Sequence, residues 1–504
     1  MPTKPATVYL IGAGPGDPGL LTLRGRQCLE RADVVLYDYL AGERLRYFAK
    51  PGARQQCLGR HGQGKLWTQP QINEAMVQAA QSGQVVARLK GGDPGVFGRL
   101  AEELDALIAA GVPFEIVPGV SSATAVAAYA GVTLTDRDQA SCVTFVTGHE
   151  QADKEGSAVD FASLATSPGT LVIYMGVTTA EHWSGELIRH GRPAETPVLL
   201  VRRCSLPDQR THETTLGEVA GLLAPDADGK RAIRPPLLAI VGDVARRRDA
   251  AAWFTGRPLF GQTVLVTRPE GQADAMADRL RELGAQVLLQ PAIQIGPPGG
   301  WEAVDDATDR LAEFDWVVFS SSNGVRFFLD RLLERGLDAR ALGGCRLAAI
   351  GPRTAESLAD YSLRADLLSG EYRAEALAEV LSERCAGGRV LLIRASRGRE
   401  VLAEQLTDAG AAVEQVVVYQ STDTPAPDPD VAAALAAGEV DWTTATSSAI
   451  ARSLVRLFGD QLRMTKLAAI SPLTAGVLAD GGFQVAATAG VYTADGLIDA
   501  MTGG

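Results

Sequence analysis

Short apolar runs, each closed by glycine or a polar turn and followed by a longer stretch of helical spacing, recur along the first half of the chain. The opening segment, TVYLIGAGPGDPGLLTLRGRQCLERADVVLYD, predicts strand, glycine loop, amphipathic helix and second strand, the alternation that marks βα units. The rhythm returns at QVVARLKGGDP, FEIVPGV, CVTFVTGHE, TLVIYMGV, TPVLLVRR and PLLAIVGDVA. Strands apolar along their whole length are buried on both faces, so the pattern predicts parallel sheets covered by helices. Near residue 250 the series gives way to AAWFTGRPLFG, aromatic and rich in Gly and Pro, and a fresh strand TVLVTRP starts at Thr263. Such a break predicts a first domain over 1–254, a linker over 255–262 and a second domain over 263–504.

From Thr263 onward the chain repeats itself. TVLVTRP at 263 lies over RVLLIRA at 389, and Asp315-Trp316 lies over Asp441-Trp442, both at an offset of 126. LAAIGPRTAESLAD at 347 lies over LAAISPLTAGVLAD at 467, an offset of 120. The second domain is therefore expected to be a pair of α/β lobes from an internal duplication, with a ligand cleft between them.

Composition narrows the function classes. A chain of 504 residues exceeds the roughly 250 to 300 at which single cores stop growing, which agrees with more than one domain. The six cysteines (28, 57, 142, 204, 345 and 385) form no CxxC pair and do not cluster with the five histidines, so no metal site is expected. No apolar run approaches the ~20 residues of a membrane span, and the N-terminal stretch meets glycine too soon for a signal peptide. A cytoplasmic protein is expected, with reduced thiols. The net charge of −12 argues against nucleic acid as a partner. An anionic substrate would instead need local cations, and Arg60, Arg88, Lys90, Arg137, Arg202 and Arg203 in the first half and Arg268, Arg353, Arg394 and Arg397 in the second are the candidates.

GAGPGD after a strand invites a dinucleotide reading, but Asp17 stands where that fingerprint wants its third glycine. The ordered strings GAGPGDPGLLTLRG, VVLYD, RLKGGDPGVFGR, VPGVSSA, FVTGHE and YMGV resemble instead the tetrapyrrole methylase family, and within it the uroporphyrinogen-III C-methyltransferases, over residues 7–254. The resemblance implies two α/β subdomains around a cleft, a homodimer through this domain, and S-adenosylmethionine as methyl donor. It assigns the cofactor to Pro15, Gly91, Gly92, Asp93, Val96, Ser121, Ser122 and Met175, and to Cys204, which replaces the usual Gly. On the residues alone, Ser121 and Ser122 serve either as a helix cap or as ligand donors. Asp38, closing VVLYD, is a helix cap on the local reading and the proton-removing base on the family one. Arg60 stands where the family has Lys; arginine, with a pKa above ~12, is unsuited to pass a proton and is expected to hold a substrate carboxylate.

The second half, with VLVTRP, VVFSSSNGV, AAIGPRTA, VLLIRA, VVVYQ and AAISPLTA, resembles uroporphyrinogen-III synthase over residues 261–504. The resemblance implies flavodoxin-like lobes and cyclisation of hydroxymethylbilane to uroporphyrinogen III, with inversion of the last ring and loss of water. This half has no histidine, so acid–base work falls to hydroxyls, amides and arginines. Tyr419 matches the family's acid, and Ser447, Thr354 and Thr474 match substrate contacts; Ser321 is the symmetry mate of Ser447. As local structure alone, Tyr419 is a strand-end residue and the threonines are helix-start residues. Together the halves predict a fused enzyme that makes uroporphyrinogen III and methylates it twice to precorrin-2. The competing reading is a methylase of another corrin intermediate fused to an idle binding domain.

Overall fold

The computed structural model describes residues 5–41, 45, 48–59, 66–150, 158–246, 251–369, 374–398 and 400–503. They form two compact units, Met1–Gln262 with Arg281–Gln286, and Thr263–Leu280 with Val287–Gly504. The first unit contains two five-stranded sheets. One comprises β1 (Val8–Gly12), β2 (Val34–Tyr37), β3 (Arg54–Cys57), β4 (Val86–Lys90) and β5 (Phe114–Val117), in the order β3-β2-β4-β1-β5. All its pairings are parallel, as its apolar strands predict. The other comprises β6 (Val143–Thr147), β7 (Thr170–Tyr174), β8 (Pro197–Arg202), β9 (Arg210–Thr215) and β10 (Leu237–Val241), in the order β6-β7-β10-β8-β9.

Here the expectation of parallel strands fails. Only β6 and β7 run parallel; β10 is antiparallel to both of its neighbours, and β8 pairs antiparallel with β9. The physical reason lies in the connection. Residues 203–209 between β8 and β9 are too few for a parallel crossover, which takes a dozen or more, so the chain must turn back on itself. β9 also escapes an apolar-run reading because RTHETT is polar, as suits the edge of a sheet. The stretch after it, Trp253 to Gln262, is packed on the first unit. Phe254 and Leu259 are buried, the Trp253 indole N–H donates to the Ala128 carbonyl at 2.7 Å, and the Arg257 guanidinium lies over the Trp253 ring.

The second unit holds β11 (Thr263–Val266), β12 (Gln286–Leu289), β13 (Ile293–Gly296), β14 (Trp316–Phe319), β15 (Arg346–Ala349), β16 (Leu367–Leu368), β17 (Arg389–Ala395), β18 (Ala412–Asp423), β19 (Trp442–Ala445), β20 (Lys466–Ala469) and β21 (Val485–Thr488). Its sheets run β12-β11-β19-β20-β21 and β13-β18-β17-β14-β15-β16. Lobe and repeat therefore do not coincide. β11 of the first copy sits beside β19 of the second, and β17 of the second sits beside β14 of the first. The repeated Asp-Trp explains the docking. Asp441 accepts the Thr263 N–H at 2.7 Å, and Asp315 accepts the Arg389 N–H at 2.8 Å, so each copy's aspartate receives the other copy's first strand. Where the chain crosses between lobes, β13 pairs antiparallel with β18, and the Thr424 N–H donates to the Ala292 carbonyl at 3.0 Å.

The most demanding burial is in the first unit. Arg88 and Lys90, two apart on β4 and so on one face of it, are each 2% exposed. Both meet Glu103, fully buried in the helix Leu100–Ala109: Arg88 Nε at 3.0 Å from Oε1 and Lys90 Nζ at 2.6 Å from Oε2. Burial, and then the neighbouring Arg88 charge, push the Lys90 ammonium below its usual pKa. Glu103→Gln would leave both cations short of their counter-charge, a loss of about 3 to 5 kcal/mol for a broken buried pair. The urea midpoint of the first unit should fall accordingly; an unshifted midpoint would show that the glutamate does not hold the helix to the sheet.

Candidate functional site

In the first unit the loops that leave β1, β4 and β5 meet backbone to backbone. A Cβ on Gly12 would lie 2.5 Å from Gly119 Cα, and one on Gly119 would lie 2.3 Å from the Gly92 carbonyl oxygen. Gly14 and Gly92 exchange hydrogen bonds of 3.1 and 2.8 Å, which ties the loop holding Pro15 to Gly91 and Gly92. Asp93 secures the third loop: Oδ1 accepts the Gly95 N–H at 2.8 Å and Oδ2 the Gly119 N–H at 2.9 Å. Its carboxylate thus shapes the site, with remaining lone pairs available to a ligand.

Beyond Gly119 the helix Ser122–Ala130 begins, and a Cβ on Gly92 would lie 3.7 Å from Ser122 N. Ser121 does not cap this helix through its hydroxyl. Its Oγ bonds Tyr174 Oη at 2.7 Å, and the Tyr174 oxygen takes the Ala123 N–H at 3.1 Å instead. Tyr174, at the end of β7, therefore joins the second sheet to the helix start, and it was legible only as part of YMGV. Met175 follows it, and Val96 packs in the apolar cluster that holds Tyr174, Ala123 and Cys204. Cys204 is 6% exposed there, and burial pushes its thiol up to about 12. The loop holding it reaches the glycine loop through the Asp17 N–H, which donates to Ser205 Oγ at 3.1 Å, and Asp17 Oδ2 accepts the Tyr129 hydroxyl at 2.7 Å.

The structure thus brings Pro15, Gly91, Gly92, Asp93, Val96, Ser121, Ser122 and Met175 to one place, with Cys204 beneath. Of the six described non-glycine residues with left-handed backbone, Phe97, Arg99, Met175, Arg203 and Ser205 lie on these loops. Strain of this kind persists where the surroundings over-determine it, typically at ligand sites. Leu40, Phe97 and Met175 are exposed apolar side chains near this floor of backbone polar groups, a donor set and surface that fit a nucleoside carrying an amino-acid tail. A separate cavity of about 400 Å³ lies at the opposite end of β7, where the buried Arg192 is held by the Leu164 and Gly169 carbonyls at 3.1 and 3.2 Å.

Asp38 follows β2, beside the loop after β4. Its Oδ1 meets Arg88 Nη2 at 2.7 Å, and its side chain is 36% exposed against 3% for Arg88. The carboxylate is thus the solvent-facing end of the chain Asp38–Arg88–Glu103–Lys90. This corrects the expectation that Arg88 and Lys90 hold substrate carboxylates: both are buried and bound to protein acids. Arg202 and Arg203 likewise face Asp208, at 3.6 and 2.6 Å. Arg60 lies outside the described residues.

In the second unit Tyr419 ends the core of β18, 7% exposed, with its ring stacked on Phe327 and its hydroxyl 3.1 Å from Ser321 Oγ. Ser321 also caps the helix Ser322–Glu334 by accepting the Gly324 N–H at 3.0 Å. Tyr419, Ser421, Arg397, Ala449, Arg452 and Arg456 line a cavity of about 480 Å³ between the lobes. Ser447, two residues before Ala449, caps its own helix by accepting the Ile450 N–H at 3.2 Å. Thr354 and Thr474 occupy the first turns of matching helices and are both buried, Thr474 with its Oγ1 3.1 Å from Ser471 Oγ. Among the described residues the Tyr419 hydroxyl bonds Ser321 and neither threonine, so the two threonines stand at matching helix starts and not at one point.

Comparison with known proteins accounts for both units. The family described as tetrapyrrole (corrin/porphyrin) methylases matches residues 7–220, and that described as uroporphyrinogen-III synthase HemD matches residues 274–499. The porphyrin biosynthesis protein HemD of Ruminiclostridium josui is 32% identical over 90% of this chain and 89% of its own. The uroporphyrinogen-III C-methyltransferase of Bacillus subtilis is 35% identical over 67% of this chain and 68% of its own. The S-adenosyl-L-methionine-dependent uroporphyrinogen III methyltransferase of Methanosarcina barkeri is 43% identical over 48% of this chain and 93% of its own. With one full-length relative and two family segments in the same order as its two compact units, the chain belongs to the family of porphyrin-biosynthesis proteins in which a tetrapyrrole methylase is fused to a uroporphyrinogen-III synthase.

Proposed function

We propose that the second unit closes hydroxymethylbilane to uroporphyrinogen III and that the first methylates this product twice to precorrin-2, with S-adenosylmethionine as donor. One observation carries the reading: the two family segments, 7–220 and 274–499, stand in one chain, in the same order as its two compact units.

When bound, the cofactor supplies an activated methyl group, so the protein's work is to bind and orient. Gly91, Gly92 and Asp93 would hold it from below and Ser121, Ser122 and Met175 from the side, with Pro15 and Val96 bordering. Asp38 Oδ2 takes no hydrogen bond from the described residues, while Arg88 fixes Oδ1, so one oxygen is oriented and the other is open to accept a pyrrole proton. In the second unit the Tyr419 hydroxyl would donate to the departing hydroxyl of the bilane. Ser321 orients it, and Phe327 holds the ring plane. Ser447, Thr354 and Thr474 would offer hydroxyls and helix-start N–H groups to substrate carboxylates. Dimerisation through the first unit and a cytoplasmic location complete the reading; among the described residues no helix is long and apolar enough to cross a membrane.

The mass of the product formed from hydroxymethylbilane tests the whole. It should rise by two methyl groups when S-adenosylmethionine is present, and an unshifted mass would refute methyl transfer to this macrocycle. Asp93→Ala releases the Gly95 and Gly119 amides and should weaken S-adenosylmethionine binding by about 10- to 100-fold, since a hydrogen bond to a charged group contributes roughly 1.5 to 3 kcal/mol. Bilane closure by the same protein should proceed at the wild-type rate, and unchanged calorimetric affinity would remove Asp93 from the site. Tyr419→Phe should slow closure on the order of 10²-fold, the lower end for a positioned acid. The bilane would then cyclise spontaneously to the uninverted isomer, so a wild-type rate and isomer ratio would exclude the hydroxyl from the chemistry.

A further inference from the structure

The duplication places one residue type at one strand position in two surroundings. Arg268 closes TVLVTR as Arg394 closes RVLLIR, 126 residues later. Arg394 is neutralised: its Nη1 bonds Glu400 Oε1 at 2.5 Å and Gln415 Oε1 at 2.7 Å. Among the described residues no acid pairs with Arg268. Its Nε is buried without a hydrogen-bond partner, and the charge that acts on it is a second cation, Arg353. Burial, and behind it the repulsion from Arg353, pull the Arg268 pKa down to about 10. Arg353 is itself a property of one copy only. It stands in GPRTA, whereas the matching position 120 residues on holds Leu473, which is 65% exposed.

Both arginines belong to the neighbourhood of Tyr419. Consecutive residues at the start of the helix Ser322–Glu334 touch all the parts. Ser321 bonds the Tyr419 hydroxyl at 3.1 Å, Ser322 Oγ donates to the Arg353 carbonyl at 3.3 Å, and Asn323 Oδ1 accepts from Gln272, in the loop that Arg268 opens, at 2.9 Å. The other arginines of the cleft are differently placed. Arg397 and Arg456 share Asp423 as their acid, and Arg452, exposed as Arg353 is, is not among the charges that act on Arg268. A desolvated guanidinium facing another cation with no acid between them is costly to fold, and an incoming carboxylate relieves that cost by making charge-assisted, forked hydrogen bonds.

We infer that Arg268 and Arg353 form the carboxylate-binding pair of the synthase unit, gripping an acetate or propionate side chain of the linear tetrapyrrole so that its reacting end lies at Tyr419. This rests on the synthase reading above, and it assigns the task to two of the several arginines that the sequence offered. The pair is a positioning device, since neither residue need touch the bond that forms.

The test uses the full chain carrying Arg268→Gln, Arg353→Gln or the charge-retaining Arg268→Lys. Each Gln variant should raise the KM for hydroxymethylbilane about 10- to 100-fold, the equivalent of one charge-assisted hydrogen bond, while kcat stays within about threefold. Arg268→Lys should recover part of that loss. Arg268→Gln should melt no lower than wild type, because it removes an unpaired buried charge, whereas loss of a structural arginine would lower the melting temperature. Tricarballylate, a small tricarboxylate that is not turned over, should raise the melting temperature of wild type more than that of either Gln variant. If wild type does not close the bilane but the tricarballylate difference holds, the anion pair stands and the synthase reading fails. If the Gln variants keep the wild-type KM and the wild-type response to tricarballylate, the pair is no carboxylate site.

Discussion

Three stretches of backbone can approach one another at the end of the first sheet only because no side chain stands between them, and the Asp93 carboxylate holds them there. The close contacts at Gly12 and Gly119 leave no room for a Cβ, and Gly92 also takes a φ of 70°, so glycine is required on both counts. Everything else in that site is placed relative to this contact. The helix starting at Ser122 is set by Gly119, the glycine loop by the Gly14–Gly92 bridge, and the second sheet by Tyr174, whose hydroxyl reaches Ser121 and Ala123. A ligand there meets mainly peptide groups whose positions are fixed before it arrives, the condition under which binding requires little reorganisation.

Electrostatics acts differently in the two units. In the first, basic residues near the candidate base are consumed within the protein: Glu103 balances Arg88 and Lys90, and only Asp38 emerges from the chain of charges. The carboxylate proposed as base is held in place by an arginine that is itself buried. In the second, Asp423 and Glu400 neutralise three arginines, while among the described residues none of the acids pairs with Arg268. A net charge of −12 would repel a polycarboxylate at long range, so such an uncompensated position matters more than the number of arginines.

How much of this could be read from the residues depended on whether the signal was local. Apolar strands with glycine turns announced β1, β2 and β4 and the loops after them, since strand burial and loop closeness leave their marks at adjacent positions. β9 left none, because an edge strand can be polar, and the direction of β10 is set by pairing with strands far away in the chain. Arg88 and Lys90 suggested cations for a substrate, because the acid that meets them lies on a helix 13 and 15 residues further along the chain. Which of the neighbouring Glu102 and Glu103 supplies it is decided by the helix phase: Glu103 turns inward, and Glu102 pairs with the exposed Arg99. The aligned offsets revealed two copies in the second half but not their exchange of first strands, because identical repeats pair equally well with themselves on paper. The stretch 255–262 reads as a connector for its two glycines and its proline, yet the aromatics in and just before it bind it to the first unit.

The exchange has consequences of its own. A lobe cannot be completed by one copy, because the contact of Thr263 with Asp441 spans 178 residues and that of Arg389 with Asp315 spans 74. Closing such loops costs entropy before any strand pairing returns it, though the cost grows only with the logarithm of length. The second unit should accordingly gain little from folding either copy early, and its lobes form together or not at all. The same exchange puts sequence from both copies into each wall of the cleft. Arg268 of the first copy and Ser447 of the second lie in one lobe, while Arg353 of the first and Tyr419 of the second lie in the other. Duplicated folds begin symmetric, but a linear tetrapyrrole has two different ends, and a cleft that tells them apart must break its own symmetry. The replacement of Arg353 by Leu473 and, among the described residues, the lack of an acid at Arg268 are two such breaks, and both are tied through one helix start to the hydroxyl proposed to act on the leaving group.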